Sequence, residues 1–198
     1  MNHYLLKHPF DFLFSSVVCI VFSPLLLGSV LAVWLQDFKN PFYLAKRVAY
    51  GGGDFTMIKI RSMVVHAEKS GVNSTGASDK RITLVGHFIR RYKVDEISQF
   101  INVLAGDMSV VGPRPHVYEL DALHSDEVPG YKLRTLVRPG VTGLAQVSGC
   151  RGETRSVREM GHRIRFDVFY VRNMNFMLDI KIIALTVLRV LQGDNKAY

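Results

Sequence analysis

Residues 10–36 read FDFLFSSVVCIVFSPLLLGSVLAVWLQ, one apolar run whose single charge is Asp11. About 20 apolar residues cross a bilayer, so a spanning helix is the ordinary reading of such a run. A cleaved leader fits less well, because the stretch is too long and no small-residue cleavage pattern follows it. Two features argue against a straight crossing. Ser23-Pro24 stands mid-run, where proline removes a backbone donor and the serine hydroxyl can satisfy the freed carbonyl. Basic residues also flank both ends, Lys7 before and Lys39, Lys46 and Arg47 after. The positive-inside bias therefore holds the downstream side in the cytoplasm and asks for no export upstream. A helix-break-helix that dips into the bilayer and returns meets both conditions, and from the residues both topologies stay open. Trp34 and Tyr43 would lie at headgroup level.

Beyond the run the pattern changes period. Residues 40–65 predict a short β-hairpin, FYLAKRVAY and FTMIKIRSM joined across Gly51-Gly52-Gly53-Asp54. Residues 66–80 are rich in Ser, Gly and Asn and predict a loop. Asn73-Ser74-Thr75 matches a glycosylation acceptor, which carries no meaning on a cytoplasmic loop. Ile82 to Arg91 predicts a short helix. A second helix is expected over 95–105, where Ile97, Phe100, Ile101 and Leu104 recur at i, i+3, i+4 and i+7 and Gly106 stops the run. Residues 116–165 mix short helices and loops, including the glycine-rich RPGVTGLAQVSG at 138–149. Arg158 to Arg172 predicts a basic amphipathic helix. Met174 to Leu191 predicts a mostly apolar helix that Asp179, Lys181 and Arg189 make too polar to span, so it lies in the interface. The fold class expected is α+β, mainly helical. Residues 1–38 would form the membrane element, spanning or re-entrant, and residues 39–198 a small cytoplasmic domain with the hairpin and C-terminal interfacial helices.

Composition narrows this picture little. The chain of 198 residues is 48% hydrophobic and carries 25 Lys+Arg against 17 Asp+Glu, a net charge of +8. That balance suits nucleic acid, anionic headgroups or phosphorylated substrates equally, and the apolar run favours lipid. Nucleic acid is disfavoured further: few aromatics interleave with the basic residues, and no reader motif occurs. Cys19 and Cys150 cannot build a disulfide framework and fit a reducing compartment. No Cys/His spacing resembles a zinc site.

The chemistry concentrates in RRYKVDEISQFINVLAGDMSVVGPRP, residues 90–115. Asp95 and Glu96 stand at the expected start of a helix, where backbone donors and the helix dipole favour anions. Adjacent helical side chains diverge by ~100°, so the two carboxylates reach different atoms and take different roles. An arbitrary Asp-Glu pair is more often a helix cap and a first-turn acid. Its company points elsewhere. Arg90 and Arg91 precede it, Gly112-Pro113-Arg114-Pro115 follow, and Lys59 and Arg61 end a hairpin strand. Arginines among apolar residues are matched to phosphate oxygens, which they hold in bidentate fashion. Headgroup binding without catalysis remains a second reading.

The string DEISQFINVLAGDMSVVGPRP resembles the signature of the bacterial sugar transferase family, the monotopic phosphoglycosyl transferases. KIRSM at 59–63, DKRITLVGHFIRR at 79–91, RPGVTGLAQVSGCRGET at 138–154, FDVFYVRN at 166–173 and LDIKII at 178–183 resemble further family segments in the same order. Ser23-Pro24 falls where that family breaks its re-entrant helix, so the resemblance favours a re-entrant helix-break-helix over residues 1–38. Ile97-Ser98 departs from the usual Leu-Pro, and Ile60 replaces an aromatic. Neither change removes a reactive group.

The resemblance implies a two-step transfer. Asp95 would attack the β-phosphate of a UDP-sugar and release UMP. Polyprenyl phosphate, undecaprenyl phosphate above all, would then take the sugar phosphate. Glu96 would assist as base or positioning acid, and Mg²⁺ would touch Asp95 and the diphosphate. Lys59, Arg90, Arg91, Pro113 and Arg114 would line the phosphate and nucleotide site. RGET at 151–154 and the ending NKAY look most like members that transfer a glucose or galactose phosphate to begin a surface polysaccharide. Those members are commonly longer. An N-acetylated donor is the alternative within the same chemistry, and a non-catalytic basic membrane module the alternative outside it. The expected location is the cytoplasmic face of the bacterial inner membrane. Membrane lipids, and a second copy of the chain as a homodimer, stand among the expected partners.

Overall fold

The computed structural model describes residues 4–67, 79–150, 152, 154 and 156–192. Most of the expected 66–80 loop, part of RGET and the NKAY ending lie outside the described residues. The apolar run forms α1 (Lys7–Asp37), 31 residues with Pro24 inside. The break expected at Ser23-Pro24 does not divide the element. Proline removes the N–H that would reach the Ile20 carbonyl, and the Ser23 hydroxyl donates to that same carbonyl at 2.8 Å. The freed acceptor is thereby satisfied within the helix.

Both ends of α1 are fastened to the rest of the chain. At the start, the Lys7 ammonium donates to Asp179 Oδ2 at 2.6 Å and to the Val111 carbonyl at 3.1 Å. Asp11 Oδ1 lies 3.5 Å from the same ammonium and accepts from the Val110 N–H. Tyr4 and Tyr170 hydroxyls complete the ring around Asp179 at 2.5 and 2.8 Å. At the far end, Arg61 forks onto both Asp37 oxygens at 2.6 and 2.7 Å. Val33 is buried there with Ile60, Ile89 and Val94. Between these anchors one side of α1 packs on the domain through Phe14, Leu26 and Val30, and the other side is bare: Val17, Ile20, Val21, Leu27 and Leu31 are exposed.

The hairpin forms as expected, β1 (Phe42–Val48) against β2 (Asp54–Ile60), antiparallel with Val48 opposite Asp54 and Tyr43 opposite Lys59. Alternation then places Tyr43, Ala45, Arg47, Phe55, Met57 and Lys59 on one face. The next helix, α2 (Leu84–Arg91), starts later than expected because the Thr83 side chain caps it, accepting from the Gly86 N–H. The single helix expected over 95–105 is instead two: α3 (Val94–Ile97) and α4 (Phe100–Ala105). Ser98 divides them. Its hydroxyl takes the Asp95 carbonyl at 2.7 Å, and the backbone tightens to three-residue steps, Gln99 to Glu96 and Ile101 to Ser98. Gly106, at φ 87°, ends α4.

None of the stripe Ile97, Phe100, Ile101 and Leu104 is fully buried, although Phe100 packs at the edge of the domain core. Phe100 packs on Phe14 of α1, with ring centroids 6.1 Å apart, and Ile101 is exposed. The inward side carries Ser98, Gln99, Asn102 and Val103, all buried.

A second, unexpected sheet follows: β3 (Ser109–Val111) pairs in parallel with β4 (Gly140–Thr142). Between them lie α5 (Tyr118–His124) and a 3₁₀ turn, Tyr131–Leu136. The chain continues through α6 (Leu144–Val147), α7 (Val157–Asn173) and α8 (Phe176–Leu191), the last two capped by Ser156 and Asn175 side chains. The α7 helix buries Met160, Arg163, Ile164, Asp167, Tyr170 and Val171. In α8, Asp179 is fully buried on the Lys7 ammonium, while Met177, Val187, Leu188 and Leu191 are exposed.

Replacing Lys7 by Met would leave Asp179 and Asp11 buried without their cation. Removing one partner of a buried pair costs roughly 3–5 kcal/mol. Denaturant melts of Lys7→Met in detergent should show a loss of that size. A loss below about 1 kcal/mol would mean the pair does not anchor the helix.

Candidate active site

Among the described residues β2 pairs only with β1, so its outer edge has backbone groups without a strand partner. Side chains from α3 and α4 fill them. Asn102 accepts from the Ile58 N–H at 2.9 Å and donates to the Thr56 carbonyl at 2.8 Å. Ser98 adds its hydroxyl to the Ile58 carbonyl at 3.1 Å. This stitching sets α3 against the end of β2 and brings Lys59 to Asp95, with Nζ 3.9 Å from Oδ2.

The two side chains are only 19% and 16% exposed, and burial opposes both charges. Burial pushes the Asp95 carboxyl above the ordinary aspartate value; Lys59 opposes that rise, and Glu96 adds to it. Burial likewise lowers Lys59, with Asp95 pulling the other way. Among the described residues no hydrogen bond occupies the Asp95 carboxylate, so beyond its ion pair with Lys59 its oxygens are available to a ligand. Glu96 points elsewhere and meets Arg114 Nη2 at 3.3 Å. The neighbouring carboxylates therefore have different cations, as their helical divergence requires.

Arg114 comes from a loop shaped by close backbone contact. The Gly140 N–H donates to the Pro113 carbonyl at 2.9 Å, and the Gly112 N–H to the Thr142 carbonyl. A Cβ built on Gly140 would stand 2.1 Å from the Gly112 nitrogen, so neither β4 nor the loop could approach with a side chain there. The two glycine-bearing motifs, GPRP and RPGVTG, are thus halves of one joint.

The remaining candidates divide. Arg90 Nε donates to Ser62 at 2.9 Å, and its charge acts on Asp95 from the last turn of α2. Arg91 is exposed and lies over the Tyr92 ring, 5.8 Å from its centroid. Ser23 and Pro24 sit mid-helix in α1, away from the acidic pair in sequence and among exposed apolar residues.

Sequence reasoning missed Arg47 and Lys93. Lys93, in a left-handed backbone at φ 57°, immediately precedes α3 and its charge acts on Asp95. Arg47 shares the Lys59 face of the hairpin; burial disfavours its charge and Arg114 repels it. The period-two pattern of FYLAKRV contained that signal. Arg47, Lys59 and Arg114 form a cationic patch that an anionic ligand would relieve.

Among the described residues no group of three or more His, Cys, Asp or Glu side chains could hold a metal by itself. Mg²⁺ is ordinarily held by one or two carboxylates with substrate phosphates and water. The Asp95 carboxylate, paired with Lys59 at 3.9 Å and without a donor at hydrogen-bond distance among the described residues, fits that mode as a single carboxylate ligand.

The bacterial sugar transferase family matches the chain over residues 2–193, and the chain belongs to it. It is 40% identical over 185 residues to the UDP-glucose:undecaprenyl-phosphate glucose-1-phosphate transferase of Escherichia coli K12, covering 93% of this chain and 40% of that protein. The protein of the same name in Caulobacter vibrioides is 38% identical over 189 residues, 96% of this chain and 71% of its own length. The UDP-N-acetylgalactosamine-undecaprenyl-phosphate N-acetylgalactosaminephosphotransferase of Aeromonas hydrophila is 35% identical over 188 residues, 95% and 44% respectively. The chain therefore spans less than half the length of the first and third.

Gly140→Ala should destabilise the domain by about 1–3 kcal/mol, since backbone must move to admit the methyl. Gly53→Ala, with nothing within 4 Å of the new atom, should stay within about 0.5 kcal/mol. Thermal melts of the two variants check this, and equal behaviour would remove the joint between GPRP and RPGVTG.

Proposed function

We propose that this chain transfers a sugar-1-phosphate from a UDP-sugar to undecaprenyl phosphate, with Asp95 as nucleophile. The observation that carries the reading is the Asp95 carboxylate: sheltered, free of hydrogen bonds and ringed by Lys59, Arg90, Lys93 and, across Glu96, Arg114. A sheltered carboxylate with an ion pair but no hydrogen-bond donor is costly in a purely structural role. Its raised pKa marks a more basic and more nucleophilic anion.

In the first half, an Asp95 oxygen attacks the β-phosphorus of the UDP-sugar. The bond from that phosphorus to the bridging oxygen breaks, and UMP leaves with the electron pair. The sugar phosphate remains on Asp95 as an acyl phosphate. In the second half, a phosphate oxygen of undecaprenyl phosphate attacks the same phosphorus, the bond to Asp95 breaks, and the carboxylate returns. Lys59, Arg90, Arg47 and Arg114 balance charge on the non-bridging oxygens. Glu96, fixed by Arg114, orients the incoming group. Mg²⁺ held by Asp95 and the diphosphate would supply charge neutralisation. Glucose-1-phosphate is the proposed cargo, since two of the three relatives carry glucose in their names; an N-acetylated sugar is the alternative that the Aeromonas relative represents.

The location follows from the substrates. A soluble nucleotide sugar and a lipid phosphate meet at a bilayer surface, and UDP-sugars are cytoplasmic. We infer that α1 dips into the inner membrane and returns, bending near Pro24, with residues 39–198 on the cytoplasmic face. A straight 31-residue helix would be about 46 Å long and would carry one end across a core of about 30 Å. Yet Lys7 and Asp37 are both paired to the same folded domain.

UMP release from UDP-glucose, with Mg²⁺ and undecaprenyl phosphate, should fall roughly a thousandfold or more in Asp95→Asn. In Lys59→Met, the acid limb of kcat/KM should move to higher pH, because Asp95 loses the cation that holds its pKa down. Equal release by Asp95→Asn removes Asp95 as nucleophile, and no release by the wild-type chain from any UDP-sugar favours a binding module. For the topology, Leu5→Cys and Lys39→Cys on a Cys19→Ala/Cys150→Ala background should react with an impermeant maleimide from the cytoplasmic side. Labelling from opposite sides would mean a true crossing.

A further inference from the structure

The Pro113-Arg114-Pro115 loop carries a problem of its own making. Two of its three residues lack an N–H, so it can scarcely tie itself down and must be held by its carbonyls. Three elements do this. The Pro113 carbonyl accepts from the Gly140 N–H, and the His116 carbonyl from the Val48 N–H at 3.1 Å. The Arg114 carbonyl is held by a side chain, Arg134 Nη2, from the 3₁₀ turn Tyr131–Leu136.

Arg134 is itself fixed. Asp167 of α7 receives Nε at 3.2 Å and Nη2 at 3.1 Å, and the two side chains are 5% and 2% exposed. The guanidinium lies 5.5 Å from the centroid of the Tyr131 ring, and the Tyr131 hydroxyl meets His116 Nδ1 at 2.6 Å. Arg134 thus holds the residue at one side of Pro115 directly, and packs on the ring that holds the residue at the other.

A buried ion pair is a poor device for stability alone. Its desolvation cost offsets most of the attraction, and an apolar pair of equal volume often serves as well or better. An apolar pair cannot donate to a carbonyl. We propose that Arg134, oriented by Asp167, is a positioning residue that sets the Arg114 backbone, and through it aims the Arg114 guanidinium at Glu96 and the diphosphate of the donor. The inference rests on Arg114 binding that diphosphate. Arg134 touches no substrate and acts through the loop.

The test is Arg134→Met, which removes the donor while the Arg163 charge remains to compensate the buried Asp167 carboxylate. Amide exchange of the 112–117 segment should quicken while that of α8 stays unchanged. In UMP-release kinetics, KM for UDP-glucose should rise about tenfold with kcat altered less than about threefold. Placed on an Arg114→Met background, the same replacement should cost less than about twofold more, since residues acting through one another are not additive. Arg134→Lys, which keeps a donor, should recover part of the KM. Unchanged exchange at 112–117, or a full tenfold penalty on top of Arg114→Met, would overturn the proposal. The exchange measurement needs no turnover, so it decides the Arg134 role even if the transfer reaction itself is not found.

Discussion

Both ends of one apolar helix are bonded to a single folded domain, and the rest of the architecture depends on that constraint. At one end the Lys7 ammonium is enclosed by Asp179, Asp11 and the Val111 carbonyl; at the other, Arg61 forks onto Asp37. These contacts tie α1 to α8 and β3 on one side and to β2 on the other. The bare apolar surface between them needs a non-aqueous neighbour, since a continuous exposed patch of that size is unfavourable in water. A bilayer surface supplies one. On the proposed membrane placement, the anchors would fix the height of the domain, and of Asp95 within it, relative to the lipid.

The same logic of satisfying exposed backbone builds the site. The free edge of β2 is closed by Asn102 and Ser98, which sets α3, and hence Asp95, beside Lys59. The proline-rich loop is held by its carbonyls, which sets Arg114 beside Glu96. Two neighbouring carboxylates consequently receive separate cations from separate parts of the chain. On the proposed mechanism, that separation would let one react while the other orients.

Much of this was legible in the residues. The apolar run, the hairpin, the acidic pair and the basic C-terminal helix follow from period, turn chemistry and charge. What escaped was decided by distant contacts. Ser98 splits the expected 95–105 helix because its hydroxyl finds the Asp95 and Ile58 carbonyls, a pairing no local propensity encodes. The stripe Ile97, Phe100, Ile101, Leu104 has helical spacing, and spacing alone did not show that Phe100 would pack on Phe14 of α1 at the edge of the core while Ile101 stays exposed. The parallel β3–β4 pair joins segments about 30 residues apart, each too short to carry a strand signal. Asp179 read as a polar interruption of the last helix, and it is the buried partner of Lys7.

The central claim is that Asp95 carries the sugar phosphate between two substrates that never share a solvent. Intact-protein mass measured after rapid acid quench, with UDP-glucose and Mg²⁺ but no lipid acceptor, tests it most directly. The account requires an added hexose phosphate on the chain, mapped to the peptide containing Asp95 and absent from Asp95→Asn. An unmodified mass while UMP accumulates would contradict it, because the phosphate would then have passed from donor to acceptor without resting on the protein.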